Sequence, residues 1–588
     1  MCGHSGLAIK LSLTCCIVMF GVLAYTQIPQ MVTGWPLNTP PSDRSFYCSP
    51  LIALDSIRGN EMTVYFAGSR NQIYQCNING TPLSNWPFVF NDTILFGGSN
   101  LVIVDIDHDN RYEIIKYGSI RTSYHNPSAF LYDCLVLVDD DGTIMPGFPW
   151  LYTNTIGAIN VADFNDDAEY EIMVSIPDSR LLFCFDRFGN IIDGWPIDLP
   201  SDVIGALPTS YCVGDLDLNG LNELIVAGLN HIYAFQIDGS NLPGFPITIS
   251  DTSYYYCYSG AQPTLADLDH DGYPEIIATS SQWHPGLIFN SEIHIYEHTG
   301  AEKNPWPLYF PNAFISQNPI PADINGDGNL EIGFQADTSF YFVDIAKIPL
   351  QGWPRTYRDT KGQIRYSFTD FIIVDLNGDR HSEIFTDFNF VYTDSIVGDT
   401  TRYFSYSPLF GIDYLGNELP AYPIRIGGAY FKMPPHFGYY KPLNRLYMGM
   451  ATESYTSENG HAISFELYQY PDSTGPADQW PMLSHDLLMT RNYNFVDNAA
   501  SDIRENPDAV PNSFCVRQNY PNPFNSSTVI RYDLPDQAIV TIKIYNILGQ
   551  AIATLADGIQ PSGRHSVIWN ADKYPSGIYF CQIQTGEY

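Results

Sequence analysis

A nine-residue pattern rich in oxygen-bearing side chains occurs six times, at residues 105–113, 163–171, 215–223, 267–275, 323–331 and 375–383. Asp, Asn or Glu stands at positions 1, 3, 5 and 9 of every copy, and position 6 is Gly in three of them. Gly at that place suits a sharp turn with positive φ. A hard cation such as Ca²⁺ takes about six to eight oxygen ligands at this kind of spacing. The pattern therefore predicts six calcium loops.

The predicted ligands are the side chains at positions 1, 3, 5 and 9 and the backbone carbonyl at position 7. In chain order these residues are Asp105, Asp107, Asp109, Arg111 and Glu113; Asp163, Asn165, Asp167, Glu169 and Glu171; Asp215, Asp217, Asn219, Leu221 and Glu223; Asp267, Asp269, Asp271, Tyr273 and Glu275; Asp323, Asn325, Asp327, Asn329 and Glu331; Asp375, Asn377, Asp379, His381 and Glu383.

An acidic hairpin turn without metal is the alternative explanation for any single copy, but six copies in one flanking context favour calcium. The copies at 163–171 and 375–383 carry Ala168 and Arg380 at the turn position, which makes them the weakest candidates. The copy at 267–275 has four acidic ligands and Gly272, so we expect it to depend on its metal more than the copy at 163–171 does.

The acidic pattern belongs to a longer repeat with short β-type runs on both sides. Each unit ends on an aromatic residue followed by Pro, with roughly 47 to 69 residues between successive pairs. The aromatic members of these pairs are Trp35, Trp86, Phe148, Trp195, Phe245, Trp306, Trp353, Tyr422 and Trp480. About four short strands in a unit of this length are typical of a β-propeller blade. The sequence predicts an all-β fold.

The nine pairs delimit eight units, so we predict eight four-stranded blades, with seven as the alternative. The first unit has only a degenerate loop at residues 55–61, and the last, near 436–448, has no acidic loop. A surplus aromatic–Pro strand at residues 31–36 precedes the first unit. We expect this N-terminal strand to complete the last blade, because closure removes open sheet edges.

The segments at residues 161–165 and 265–272 resemble FG-GAP/VCBS repeats, the family that includes the propeller of integrin α-chains. The resemblance covers roughly residues 30–490 and is specific at the loops, and we assign the propeller domain to residues 27–500. It implies that the loops bind Ca²⁺ on one face of a propeller and that ligands bind on the opposite face.

Charge and the N-terminal segment indicate an extracellular protein that does not bind nucleic acid. The formal net charge is −36 and the pI is near 4.4, and the predicted ligand positions hold 20 of the 64 acidic residues. Such a chain does not attract nucleic acid by general electrostatics. Residues 1–26 predict a secretory signal, because the apolar stretch 11–23 is too short to span a bilayer. No integral membrane segment is expected in the mature chain.

A polar linker at residues 501–512 precedes a distinct module at residues 513–588, whose alternating β-type runs predict a small Ig-like β-sandwich. Its segments 518–525, 545–549 and 576–579 closely resemble the C-terminal sorting domain of type IX secretion substrates. This resemblance implies the type IX secretion machinery as partner, and secretion or display on the outer membrane of a Gram-negative bacterium. The family normally continues through one further strand beyond Tyr588, so we expect this domain to be truncated.

The sequence contains no recognisable catalytic motif, so no catalytic residue is assigned. Aromatic side chains on the connectors between units are candidate contacts for a ligand, because rings can stack on sugars or hold a peptide. They are Tyr254, Tyr255, Tyr256, Tyr258, Phe314, Tyr366 and Tyr430. Packing between blades is the alternative role for these rings.

The sequence favours a calcium-stabilised propeller that binds or adheres to glycan or protein. Two other hypotheses stay open. One is an extracellular lyase or hydrolase that degrades polysaccharide on a propeller scaffold, and the other is a structural component of a surface layer.

Overall fold

The structure is a computed structural model that describes residues 30–480 and 515–585 with gaps. The longer gaps are 39–50, 122–129, 202–210, 250–261, 358–371, 423–428, 471–477 and 517–526, and gaps of five residues or fewer occur elsewhere. The predicted signal and linker lie outside the described residues, as do Tyr254, Tyr255, Tyr256, Tyr258 and Tyr366.

Antiparallel sheets account for most of the described chain, which confirms the all-β prediction. The first six sheets, numbered in chain order, consist of the following strands. Sheet 1 has Leu51–Asp55, Glu61–Ala67, Gln72–Asn77 and Phe88–Val89; sheet 2 has Val102–Val104, Glu113–Arg121, Phe130–Val138 and Trp150–Tyr152, with Ile94–Phe96 added beside its second strand; sheet 3 has Ile159–Ala162, Glu171–Ile176, Leu181–Phe185 and Ile197–Asp198; sheet 4 has Tyr211–Gly214, Glu223–Ala227, His231–Phe235 and Ile247–Thr248; sheet 5 has Thr264–Ala266, Glu275–His284, Ile288–Tyr296 and Leu308–Phe310; sheet 6 has Ile320–Ala322, Glu331–Ala336, Ser339–Val343 and Arg355–Thr356. A 3₁₀ turn, Pro177–Ser179, interrupts sheet 3.

Sheets 7 and 8 depart from this regular order. Sheet 7 contains Ile372–Val374, Glu383–Asp387 and Leu409–Ile412, and a separate hairpin of Phe390–Val397 and Thr400–Tyr406 lies between its second and third strands. Its fourth member is Asp478–Trp480, which pairs with the first strand. The prediction that the pair at residue 480 closes the eighth unit is therefore wrong, because this segment joins sheet 7 instead.

Sheet 8 is completed by the N-terminus, as predicted. Its strands His436–Tyr440, Arg445–Thr456 and Gly460–Tyr470 pair in order, and Ala429–Tyr430 adds to the end of the second. The N-terminal strands Gln30–Met31 and Leu37–Asn38 pair antiparallel with Gly460–Tyr470, so the two ends of this part of the chain share one sheet.

Hydrophobic clusters fill the space between each pair of consecutive described sheets, from sheets 1 and 2 through sheets 7 and 8. A further cluster joins sheet 8 to sheet 1, where Val32 and Leu467 pack with Val64 and Phe66. The middle strands, such as Glu171–Ile176, are buried on both faces, which explains why their sequences are continuous apolar runs. The sheets therefore follow one another in a cyclic order.

The aromatic–Pro pairs link each sheet to the next. The indole N–H of Trp195, from sheet 3, donates to the backbone carbonyl of Ile237 in sheet 4 at 2.6 Å. The N-terminal Trp35 makes the same bond to Ile78 of sheet 1 at 2.8 Å. Gly194 precedes Trp195 and has φ +93°, and a Cβ there would lie 2.8 Å from a carbonyl of sheet 4. Trp86, Trp306 and Trp353 donate to the following sheet in the same way.

The antiparallel order of the strands gives this part of the molecule two faces. Turns from first to second strands and from third to fourth strands lie on one face, which we call the loop face. Turns from second to third strands lie on the opposite face with the connectors to the next sheet, and we call it the connector face. All six acidic patterns join a first strand to a second strand and so lie on the loop face.

The C-terminal module consists of two three-stranded sheets. One contains Cys515–Val516, Ser527–Leu534 and Gly563–Asn570, and the other contains Ala538–Asn546, Ala551–Gln560 and Tyr579–Thr585. Side chains from both sheets, including Tyr532, Val540 and Trp569, form the core between them. This is the small sandwich that the sequence predicts. No helix of the described residues is long and apolar enough to cross a membrane.

Candidate metal centres

The six acidic loops share one scaffold, in which position 9 is a buried Glu at the start of the second strand. These residues are Glu113, Glu171, Glu223, Glu275, Glu331 and Glu383. In each loop this carboxylate accepts a hydrogen bond from the backbone N–H of position 2, at 2.7–3.1 Å. The carboxylate is thus held at the base of the loop through one of its two oxygens.

Position 2 is an apolar residue that anchors each loop, and it is not part of the pattern of oxygen ligands. The six anchors are Ile106, Phe164, Leu216, Leu268, Ile324 and Leu376, and all are buried. Burying this side chain holds the N–H of position 2 against the Glu. The signal was readable in the sequence, since no copy has a polar residue there.

Position 6 has the left-handed conformation that the Gly pattern predicts. Gly220, Gly272 and Gly328 have φ between +91° and +95°, and Arg380 has φ +74°. In all four loops the N–H of position 6 donates to the Asp at position 1, at 2.9–3.1 Å. Arg380 therefore does not prevent the turn, although it weakened the sequence argument for its loop. Ala168 lies outside the described residues.

The sequence did not predict that position 4 is also left-handed, in the five loops where it is described. His108, Leu218, His270, Gly326 and Gly378 have φ between +56° and +74°. Only the two Gly residues gave a hint of this second turn. In every loop the N–H of position 5 then donates to position 3, and the N–H of position 7 to position 5.

The Asp105 and Asp215 loops bring three carboxylates together in an arrangement that fits a hard cation. One oxygen each of Asp215, Asp217 and Glu223 lies within 4.8 Å of the others, and Asp105, Asp107 and Glu113 are grouped alike. Glu223 is 1% exposed, and its Oε1 has no hydrogen-bond partner. A buried carboxylate oxygen without a donor is costly unless a cation binds it.

Burial and mutual repulsion make these carboxylates reluctant to ionise in the absence of metal. Burial raises the pKa of Glu113 to about 10, and the neighbouring Asp107 adds to the effect. Burial likewise raises the pKa of Glu171, Glu223 and Glu331 to about 8 each and that of Asp215 to about 6. A bound divalent cation would reverse these shifts, because it favours the charged form.

Two loops with Asn at position 3 satisfy their Glu with an amide. The Nδ2 of Asn165 donates to Oε1 of Glu171 at 3.2 Å, and that of Asn325 donates to Oε1 of Glu331 at 3.1 Å. A metal in these loops would have to replace this N–H donor.

In the Asp267 loop a Lys ammonium reaches the carboxylates. Nζ of Lys303 lies 2.7 Å from Oδ2 of Asp269, 2.9 Å from Oε1 of Glu275 and 2.8 Å from Oε1 of Glu297. The close carboxylate group of this loop consists of Asp267, Asp269 and Asp271 without Glu275. Burial raises the pKa of Glu275 to about 7, and Lys303 partly offsets the rise.

In four loops the side chain at position 7 contacts the residue two places after the third strand of its own sheet. Arg111 pairs with Asp140 at 2.7 Å, and Glu169 pairs with Arg187 at 3.3 Å, with the charges exchanged. Two further loops use stacked rings, Tyr273 on His298 and His381 on Tyr414. The predicted role of position 7, ligation through its backbone carbonyl, leaves the side chain free for these contacts.

Among the predicted ligand-contact aromatics, only Phe314 has a described side chain. It is half-buried on the connector face, and its backbone N–H donates to Oδ1 of Asp337 at 2.9 Å. Tyr430 belongs to the short strand Ala429–Tyr430, but its side chain is outside the described part of the molecule.

A buried polar chain in sheet 5 has the residue types of a hydrolase relay. Oγ of Ser280 lies 3.1 Å from Nε2 of His294, and Nδ1 of His294 lies 2.7 Å from Oε1 of Glu302. His294 and Glu302 also line a cavity of about 510 Å³. Ser280 is 1% exposed, however, and Oε2 of Glu292 is 3.5 Å from the same His nitrogen. This geometry favours a structural network over a nucleophile that substrate can reach.

Solved structures with some similarity to the chain are distant. The biofilm matrix protein Bap1 of V. cholerae is 12% identical, with a TM-score of 0.48, over 79% of this chain and 96% of that one. The C-terminal domain of Pseudomonas aeruginosa PilY1 is 10% identical, with a TM-score of 0.32, over 70% and 92%. A fructofuranosidase from Schwanniomyces occidentalis is 11% identical, with a TM-score of 0.24, over 75% and 99%. With TM-scores below 0.5, none of these similarities carries a conclusion about fold or function.

No curated protein matches the chain. A family model does match its C-terminal end: residues 518–588 correspond to the secretion system C-terminal sorting domain. This agrees with the sandwich described above and with the resemblance in the sequence. The chain therefore carries a type IX sorting domain, which indicates export to the cell surface or beyond.

Proposed function

We propose that residues 27–500 form a β-propeller of eight blades, which is exported by means of the sorting domain and stabilised by calcium. The cyclic order of the eight sheets supports this architecture, since the cluster of sheets 8 and 1 completes the series. The Trp35 bond to sheet 1 repeats the contact that joins the other sheets. FG-GAP/VCBS repeats of the integrin type are the family whose propeller fits best.

The observation that carries the calcium proposal is the buried Glu at position 9. Six glutamates lie at the same place, beside two or three further carboxylates each, where burial opposes ionisation. A position that recurs in six sheets does not hold a costly charge each time unless something compensates for it, and Ca²⁺ would supply that compensation with the oxygen ligands of the loops. Six Ca²⁺ would also reduce the net charge of −36 to about −24.

We propose that the exported propeller is a binding or adhesion module for glycan or protein, and that its connector face holds the ligand. The acidic loops account for the opposite face, and Phe314 places one predicted ring on the connector face. The buried position of Ser280 argues against a polysaccharide-degrading enzyme at the only relay-like chain among the described residues.

A glycan array probed with the calcium-loaded protein tests this role, with a parallel assay for release of reducing or unsaturated sugar ends. Binding without sugar release supports the module, and release supports the enzyme hypothesis instead. Phe314→Ala should weaken binding, whereas Tyr309→Ala, which removes an exposed ring from the outer strand of the same sheet, should leave it unchanged. Equal loss in both variants would contradict a ligand on the connector face.

A further inference from the structure

Each of the eight sheets has one residue at the backbone position that Lys303 has in sheet 5. This residue comes three places before the aromatic member of the aromatic–Pro pair and accepts a hydrogen bond from the N–H of that aromatic. In seven sheets it is apolar, and in sheet 5 it is Lys. The eight residues are Val32, Leu83, Met145, Ile192, Leu242, Lys303, Leu350 and Leu419.

Lys303 extends its ammonium to the carboxylates of the Asp267 loop. Its side chain is 10% exposed, and its three carboxylate contacts are 2.7–2.9 Å long. Two of these carboxylates, Asp269 and Glu275, are predicted ligands at positions 3 and 9. The third, Glu297, lies just after the third strand of the same sheet. Such charge-assisted bonds are short and strong compared with neutral ones.

The ligand set of the loop has changed accordingly. In the Asp105 and Asp215 loops the position 9 Glu belongs to the close group of carboxylates, and in the Asp267 loop it does not. Glu275 instead directs Oε1 to Lys303. A carboxylate oxygen that is bonded to an ammonium cannot at the same time bind a calcium ion, so this loop lacks one of its predicted ligands.

We propose that Lys303 is a built-in cation that replaces calcium in the Asp267 loop, so that sheet 5 does not require the metal. The proposal rests on the calcium function of the other loops. It reverses the ranking from sequence, in which four acidic ligands and Gly272 placed this loop above the copy at 163–171. Because this ammonium is part of the chain, it keeps sheet 5 folded when calcium is scarce.

Two reciprocal variants test the proposal. Lys303→Met introduces the residue type that sheet 2 has at the same place, Met145, and keeps an unbranched side chain. Leu242→Lys introduces an ammonium beside the Asp215 loop. We expect Lys303→Met to bind one Ca²⁺ more than the parent protein in equilibrium dialysis, and Leu242→Lys to bind one fewer.

Thermal melting in chelator and in millimolar Ca²⁺ supplies a second measurement. Lys303→Met should melt a few degrees lower than the parent in chelator, and calcium should restore much of the difference. If the parent binds calcium but Lys303→Met binds the same number of ions, the proposal about Lys303 is wrong. If neither protein binds any calcium, the calcium function itself fails. Should Leu242→Lys not fold, the Lys303→Met comparison alone still decides.

Discussion

The Asp215 and Asp267 loops lie on adjacent sheets with the same backbone, yet they balance a buried Glu in different ways. Glu223 lies close to two further carboxylates, and one of its oxygens has no hydrogen-bond partner. Glu275, in contrast, is paired with the ammonium of Lys303. The scaffold fixes where negative charge gathers, and a residue from a different turn determines what neutralises it. Loops that look equivalent in sequence can therefore differ in their need for metal.

The largest expected effect is the pH dependence of the calcium-free protein. The folded pKa of Glu223 is about 8, well above the ordinary carboxyl value of 4.5, because burial opposes its ionisation. Such a group favours folding below pH about 4.5, and this contribution is lost as pH rises toward 8, at up to about 1.4 kcal/mol per pH unit.

Melting temperatures in chelator should therefore fall between pH 5.5 and 8.5. In calcium they should not, because the ion binds the deprotonated carboxylates. If the difference between the melting temperatures in calcium and in chelator stayed constant with pH, the assignment of these glutamates as ligands would be contradicted.

The next effect distinguishes the two loops directly. Glu223→Ala should cost about 1–3 kcal/mol in millimolar Ca²⁺ and much less in chelator, since it removes a metal ligand. Glu275→Ala should cost a similar amount in both media, because it removes a partner of Lys303 that is present with or without calcium. Urea unfolding midpoints of both variants in both media measure this. An equal calcium dependence of the two variants would show that the loops do not differ.

The contact between sheets 8 and 1 should contribute less to the free energy of unfolding than the calcium loops do. Its contribution should not depend on calcium. Trp35→Phe removes the indole N–H that donates to Ile78, at a cost of about 1–2 kcal/mol. Trp195→Phe is the matched control within the ring, because its indole makes the same bond to Ile237. Melting temperatures should fall comparably for both. A drop for Trp195→Phe alone would mean that the N-terminal strand does not close the ring.

The smallest effect concerns position 7. The Arg111–Asp140 pair is partly exposed, so a double-mutant cycle with Ala should give a coupling of about 0.2–1 kcal/mol. Calcium binding by Arg111→Ala should be unchanged, because the predicted ligand at this position is the backbone carbonyl. Loss of one calcium ion in dialysis would contradict that assignment.

The sequence predicted much of the fold because its repeats act as an internal comparison. The acidic positions, the left-handed turn at position 6 and the N-terminal strand of sheet 8 all followed from patterns that recur. The place of Asp478–Trp480 did not, since strand pairing across sheets depends on tertiary contacts and not on local pattern. Trp480 resembled a closing residue, yet its strand pairs with Ile372–Val374.

The contacts of Lys303 could not be predicted from the loop pattern, because Lys303 lies in a different turn, 28 residues after Glu275. These contacts become visible when eight of the nine aromatic–Pro pairs are aligned, since only one of the eight equivalent positions is charged. The position 7 contacts are similar. Arg111 pairs with Asp140, whereas Glu169 pairs with Arg187, so the two loops have equivalent ion pairs with the charges exchanged. This relation becomes visible only when the repeats are compared.

Melting of the parent protein in excess chelator and in millimolar Ca²⁺, with Mg²⁺ as control, tests the central claim most directly. Each occupied loop should contribute about 1–3 kcal/mol at millimolar calcium, so several loops together should raise the melting temperature clearly. Mg²⁺ should do much less, because it demands a tighter octahedral geometry. An unchanged melting temperature in chelator would contradict the account that calcium stabilises these loops.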